Sequence, residues 1–147
     1  MSDETYVPSD PELRSILGDA RTIAVVGLSS NPLRPSYEIA EFLQEKGYRI
    51  VPVNPKETEV LGERAYPTLA DIPNDIDIDV VDVFRRAEHT PEIAEAAVAR
   101  GAKVLWLQEG IANDDARRIG EDGGLSVVMG VCMRQETKRL ERSERET

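Results

Sequence analysis

The 147-residue chain contains one cysteine, Cys132, and one histidine, His89. A single thiol excludes an internal disulfide framework and a cysteine-built zinc site, and a single imidazole excludes a histidine-rich metal centre. Lysine is scarce: 4 of the 18 basic residues are lysine and 14 are arginine. Basic residues are themselves outnumbered, 18 against 28 acidic ones, for a net charge of −10. A surface of that sign repels phosphodiester backbones and anionic lipid, so neither a nucleic acid nor a membrane is expected as a partner. Long apolar runs are also missing. The longest uncharged stretch, Thr22–Leu33, has 12 residues, and a membrane-spanning helix needs about 20. Met1 to Glu12 is acidic with no apolar centre, which is not the pattern of a secretory leader. A cytoplasmic protein is expected.

What is present suffices for a folded domain. Hydrophobic residues make up 40% of the chain, and a chain of this length buries roughly 70% of its unfolded surface. One domain over 1–147 is expected, with loose tails at 1–10 and 141–147. Short apolar, β-branched runs alternate with helical patterns. Thr22–Leu28, Arg49–Val53, Asp79–Phe84, Lys103–Leu107 and Leu125–Met129 read as strands buried on both faces. Glu63–Ala65 reads as a short edge strand, and Pro52 is awkward inside its strand. Between them, Asp10–Gly18, Ser36–Lys46, Thr90–Arg100 and Asn113–Glu121 read as helices, with Gly47 and Gly101 as stops. The charged segment from Gln135 onward reads as a further helix. Such alternation predicts an α/β, Rossmann-like, doubly wound and mostly parallel sheet of order 3-2-1-4-5-6, with Glu63–Ala65 as strand 3 and helices on both faces. Its crevice opens beyond the carboxyl ends of strands 1 and 4, after Gly27 and after Phe84.

The loop at the first of these ends, Gly27-Leu28-Ser29-Ser30-Asn31-Pro32-Leu33-Arg34-Pro35-Ser36, carries no acid and leads into a helix N-terminus. Unpaired N–H groups, hydroxyls and a guanidinium suit phosphate oxygens; an ordinary Ser/Asn/Pro connection is the alternative. The G-x-G-x-x-G fingerprint of dinucleotide enzymes is absent. After strand 2, Asn54-Pro55-Lys56 puts a lysine where NAD enzymes place an acid. That lysine fits a phosphate on a ribose, as in NADP or coenzyme A, or else is a solvated turn residue. Phe84-Arg85-Arg86 adds two cations, which either face the crevice or pair with Glu88 or Glu92. Gln108 follows strand 5 on the far wall. Local charge of one sign on a chain of the other points to an anionic ligand.

No nucleophile–base pair is visible. His89 reads as a solvated or capping residue, Cys132 as a buried inert thiol, Trp106 as core, and Asp75, Asp77, Asp79 and Asp82 as a solvated strand entry. No catalytic or metal-ligating residue is therefore assigned.

Five segments, Val25–Pro32, Arg34–Tyr37, Val53–Lys56, Val81–Arg86 and Trp106–Gln108, closely resemble the small stand-alone CoA-binding proteins. These are similar to the CoA-binding domain of the succinyl-CoA synthetase alpha subunit without its second domain. The resemblance runs over about residues 15–140. It implies a Rossmann-like domain with coenzyme A or acyl-CoA at the crevice. It implies that Gly27, Ser29, Arg34 and Ser36 hold the diphosphate, with Leu28, Ser30 and Asn31 in the same loop. Asn54, Pro55 and Lys56 would lie by the adenosine and 3′-phosphate, and Phe84 and Arg85 would line the next wall, with Arg86 and Gln108 nearby. Family members often carry acid-Arg-Cys after the last strand and a Glu-His pair beyond it. Here the residues are Gly130-Val131-Cys132 and Glu136-Thr137, so any role of that Arg or His does not transfer. Three functions follow for testing: non-catalytic CoA binding as carrier, sensor or partner subunit, with a homo-oligomer or an acyl-CoA enzyme as possible partner; an NADP-linked or acyl-CoA-transforming enzyme completed by another chain; and a regulatory protein that has lost its ligand.

Overall fold

The computed structural model describes residues 5–146. Helix α1 is Asp10–Asp19, opened by the Ser9 hydroxyl, which accepts the Glu12 amide. Strand β1, Thr22–Val26, leads to helix α2, Pro35–Glu45, and strand β2, Arg49–Val53. A hairpin follows, β3 (Glu59–Val60) with β4 (Glu63–Arg64), then β5 (Val80–Val83) and α3 (Thr90–Ala99). Strand β6, Val104–Leu107, helix α4, Asp114–Asp122, strand β7, Ser126–Met129, and helix α5, Met133–Glu146, complete the chain. As the sequence predicts, Asn113 caps α4, its side chain accepting the Ala116 amide at 2.9 Å.

The main sheet has five parallel strands in the order β2-β1-β5-β6-β7. Strand side chains alternate between two apolar layers. Ala24, Val51, Val81, Leu105 and Val127 face α3 and α4 through Ala94, Ala97 and Ala116. Ile23, Ile50, Val80, Trp106 and Val128 face α1, α2 and α5 through Leu13, Leu43 and Met133. The doubly wound α/β class is as expected.

The expected order is corrected at one edge. Glu63–Ala65 does not add a parallel strand 3. Glu63 and Arg64 pair antiparallel with Val60 and Glu59. The reason is local: the stretch after Val53 is closed by a tight turn that folds Glu63 and Arg64 back on Glu59 and Val60. Leu61 and Gly62 both take positive φ, +55° and +78°, which suits a two-residue hairpin turn. Tyr66 bridges back to the sheet, exchanging hydrogen bonds with the Pro52 carbonyl and the Asn54 amide. Pro52 is tolerated because β2 is the edge strand, where a missing donor interrupts no ladder.

Within the segments expected as tails, residues 5–10 and 141–146 take part in structure and contacts. Tyr6 and Met129 exchange backbone hydrogen bonds of 3.0 and 2.8 Å. Helix α5 runs through to Glu146, tied by Arg139 to Asp10 at 2.9 Å and by Glu141 to Lys46 at 2.6 Å. Residues 1–4 and 147 lie outside the described residues.

A third correction concerns Asp82. It is not at a solvated strand entry but fully buried, in the middle of β5 between Val25 and Trp106. Gln108 Nε2 donates to its Oδ1 at 2.5 Å, and its Oδ2 has no hydrogen-bond partner. Burial pushes the carboxyl up to about 7, against the opposing pull of the Gln108 hydrogen bond. Asp79 is the member of the series that does meet the strand entry. It accepts the Arg21 and Thr22 amides and pairs with Lys103.

The sign of the Asp82 effect follows from linkage. In the unfolded chain its proton leaves at the ordinary carboxylate pKa, and in the folded chain only near 7. Between those values the unfolded state binds fewer protons, so stability falls as pH rises through the window and levels off above it. Asp82→Asn should flatten the curve. Between pH 5 and 8 the wild type should lose about 2–3 kcal/mol more than the variant, measured by urea unfolding. Parallel curves would contradict the assignment.

Candidate functional site

The sheet order reverses between β1 and β5, and their loops leave the same edge. Gly27 sits at the junction with φ of +89°. Its amide donates to Val53 and the Phe84 amide donates to Val26, so three strand ends are pinned together. A Cβ at Gly27 would stand 2.8 Å from the Phe84 carbonyl oxygen. Backbone handedness and close approach both require glycine there.

The β1–α2 loop is held by its own polar groups. The Ser29 amide donates to Ser36 Oγ at 3.1 Å, the Asn31 amide to Ser29 Oγ at 3.0 Å, and the Leu33 amide to Asn31 Oδ1 at 3.0 Å. Pro35 begins α2, where its missing N–H leaves nothing unsatisfied. Across the cleft, Asn54 holds a turn through its side chain: Oδ1 accepts the Lys56 amide, and Nδ2 donates to the Leu28 carbonyl at 3.0 Å. The two loops therefore form one frame.

Between them lies a cleft of about 690 Å³, lined by Gly27, Ser29, Arg34, Ser36, Asn54, Pro55, Lys56, Phe84, Arg85 and Arg86. That volume is in the range of small-molecule and cofactor sites, roughly 300–1,000 Å³. Ten of the residues singled out from sequence thus meet on one wall system. Arg34 and Lys56 both line this cleft.

The other candidates do not line it. Leu28 is fully buried in the apolar layer against α2. Ser30 and Asn31 are exposed and their side chains are not on the cleft walls, although the Ser30 amide is bonded to Glu57, which is. Gln108 is 2% exposed and turned inward, to Asp82 and to the Met133 amide at the start of α5. Sequence reasoning missed Val26, Pro35, Val53, Glu57 and Pro67, which also line the cleft. Val26 and Val53 are the last residues of their strands, a position that could have marked them. Pro67 arrives only through the one-residue contact of Tyr66 with β2, which no local pattern signals.

Four cations and one carboxylate, Glu57, line the cleft. Arg34, Lys56, Arg85 and Arg86 form no ion pair among the described residues, although ion pairs form elsewhere, as at Arg139–Asp10 and Lys46–Glu141. Arg85 and Arg86 do not pair with Glu88 or Glu92. The hydroxyls of the cleft, Ser29 and Ser36, both accept backbone amides. His89, half-buried before α3, is not on the wall. Cys132 is buried, 3% exposed. Among the described residues no group of three or more His, Cys, Asp and Glu could hold a metal ion, and no helix is long and apolar enough to cross a membrane.

Fold and cleft define a doubly wound domain with a cation-lined cleft at its topological switch point. The chain belongs to the CoA-binding domain family, whose model matches residues 21–138. It is similar to YneT of Bacillus subtilis, 41% identical over 127 residues, which cover 86% of this chain and 93% of that one. It is also 39% identical over 101 residues to the alpha subunit of the ADP-forming acetate–CoA ligase II of Pyrococcus furiosus. That match covers 67% of this chain and 22% of the ligase subunit. Among solved structures, a Pyrococcus horikoshii protein superposes with a TM-score of 0.87 at 40% identity, covering 94% of this chain and 98% of the other.

Gly27→Ala tests the junction. The new Cβ meets backbone, which cannot rotate away, and the positive φ adds strain of about 1–3 kcal/mol. The variant should lose at least that much stability in denaturant unfolding. A midpoint equal to the wild type would show that the β1 and β5 ends are not in close contact.

Proposed function

We propose that the cleft binds coenzyme A or acyl-CoA without catalysing its transformation, and that the chain acts as a carrier, a sensor or a partner subunit of an acyl-CoA enzyme. One observation carries the reading: four cations with no acidic partner line a single cleft on a chain of net charge −10. Coenzyme A brings a diphosphate and a 3′-phosphate, enough negative charge to engage them all. The family match supports the ligand class.

In this reading the diphosphate lies on the β1–α2 loop, against Gly27, Ser29, Ser36 and the Arg34 guanidinium. The fixed Asn54–Lys56 turn places the Lys56 ammonium by the 3′-phosphate. Phe84 and Arg85 form the neighbouring wall. Val26, Val53 and Pro67 give the cleft an apolar floor suited to an adenine or a pantetheine chain. No histidine or cysteine lines the cleft, and its hydroxyls and its carboxylate are all engaged by backbone amides, which favours binding over covalent chemistry. The ligase relative carries the matched region as about a fifth of its alpha subunit, which favours the partner-subunit role among the three.

Thermal unfolding with added ligand tests it. Coenzyme A at 100 times its Kd should stabilise the protein by about 2.7 kcal/mol, and dephospho-CoA at the same concentration by clearly less. Lys56→Ala should weaken coenzyme A about tenfold or more, the loss of one charge-assisted hydrogen bond, and leave dephospho-CoA unchanged. Equal stabilisation by the two ligands would remove the role of Lys56. Binding of NADPH without binding of coenzyme A would replace the reading with the nucleotide-enzyme alternative.

A further inference from the structure

The cleft contains one carboxylate among its cations. Glu57 lines it, one residue beyond Lys56, and yet pairs with none of Arg34, Lys56, Arg85 and Arg86. Its Oε2 accepts instead from the Ser30 amide, at 2.8 Å, across to the opposite loop. Three neighbouring amides of that loop are satisfied from within it: Ser29 by Ser36, Asn31 by Ser29, Leu33 by Asn31. Ser30 alone among these has a charged acceptor, and that acceptor comes from the far side of the cleft.

The turn that delivers Glu57 is rigid. Its amide donates to the Asn54 carbonyl at 3.2 Å, Pro55 fixes the first corner, and Asn54 anchors the turn to Leu28. The same turn therefore presents a cation and an anion to the cleft from adjacent residues. A bare amide leading into a helix N-terminus favours an anionic oxygen, and in this structure a carboxylate oxygen of the protein occupies that place.

We infer that Glu57 is an internal competitor of the ligand's phosphates, a residue that sets affinity and exchange at this site by occupying the Ser30 amide and placing one negative charge among four positive ones. The inference rests on the reading of the cleft as a coenzyme A site. When a phosphate approaches the β1–α2 loop, it meets a like charge and a donor already taken. The Glu57 side chain must swing out, and the Asn54 turn stays in place because its own hydrogen bonds do not involve the carboxylate. Binding is weakened by the cost of that displacement, and release is correspondingly faster, which suits a carrier or sensor more than a store.

Two variants separate charge from occupancy. Glu57→Gln removes the charge and keeps an acceptor for Ser30. Glu57→Ala removes both. Isothermal titration with coenzyme A should show tighter binding in each, by about fivefold to tenfold, with Glu57→Ala at least as tight as Glu57→Gln. Hydrogen exchange on the ligand-free proteins should show the Ser30 amide less protected in Glu57→Ala than in the wild type. Unchanged or weaker binding in both variants, with the wild type still binding coenzyme A, overturns the role of Glu57 and leaves the coenzyme A reading standing. Absence of coenzyme A binding by the wild type and by both variants overturns the two together.

Discussion

Holding Arg34, Lys56, Arg85 and Arg86 in one cleft without acidic partners has a cost that the free protein must bear. Like charges repel, and at exposed positions water and salt hold the repulsion to the order of 1 kcal/mol or less per pair. The parallel sheet is what gathers them. Every parallel strand delivers the loop after it to the same edge, so three loops separated by tens of residues release their cations at one place. The switch in strand order between β1 and β5 opens the space between those loops. An anion placed there reverses the sign of the interaction with all four at once.

The frame around that charge is polar and local. Asn54, Ser29, Asn31 and Ser36 spend their side-chain hydrogen bonds on backbone groups of the two loops. They shape the cleft more than they present donors to it. Deeper in, Gln108 joins Asp82 in β5 to the first amide of α5, so the C-terminal helix is registered to the sheet through a buried polar chain instead of through apolar contact alone. Buried polar groups of this kind are costly if half satisfied, and the unpartnered Asp82 Oδ2 is where that cost falls.

The strands and helices of the main sheet could be read from the chain because each is a short apolar run bounded by Gly, Pro or a capping side chain, and both faces of the sheet are covered. Glu63–Ala65 could not. Whether two extended residues fold back on Glu59–Val60 or lie beside Val53 depends on the handedness of Leu61 and Gly62, and β-propensity does not carry that. Asp82 was misjudged for a related reason. An acid within an apolar strand looks like a face change until its partner Gln108, just beyond the end of β6, is known. In the site, residues whose side chains are cationic were found, since charge against a background of opposite sign is visible in sequence. Leu28, Ser30 and Asn31 share a loop with true lining residues, and only the direction of each side chain separates them. Glu57 was not singled out: nothing in the sequence shows that its carboxylate reaches across to the Ser30 amide.

The central claim is that phosphate groups sit among these four cations. A crystal structure of the protein grown with saturating coenzyme A tests it most directly. The expected result is the diphosphate against the Gly27–Ser36 loop and the 3′-phosphate within hydrogen-bond distance of Lys56, about 2.7–2.9 Å for an ammonium and a phosphate oxygen. Coenzyme A bound elsewhere on the surface, or a cleft without it at saturation, would contradict the claim.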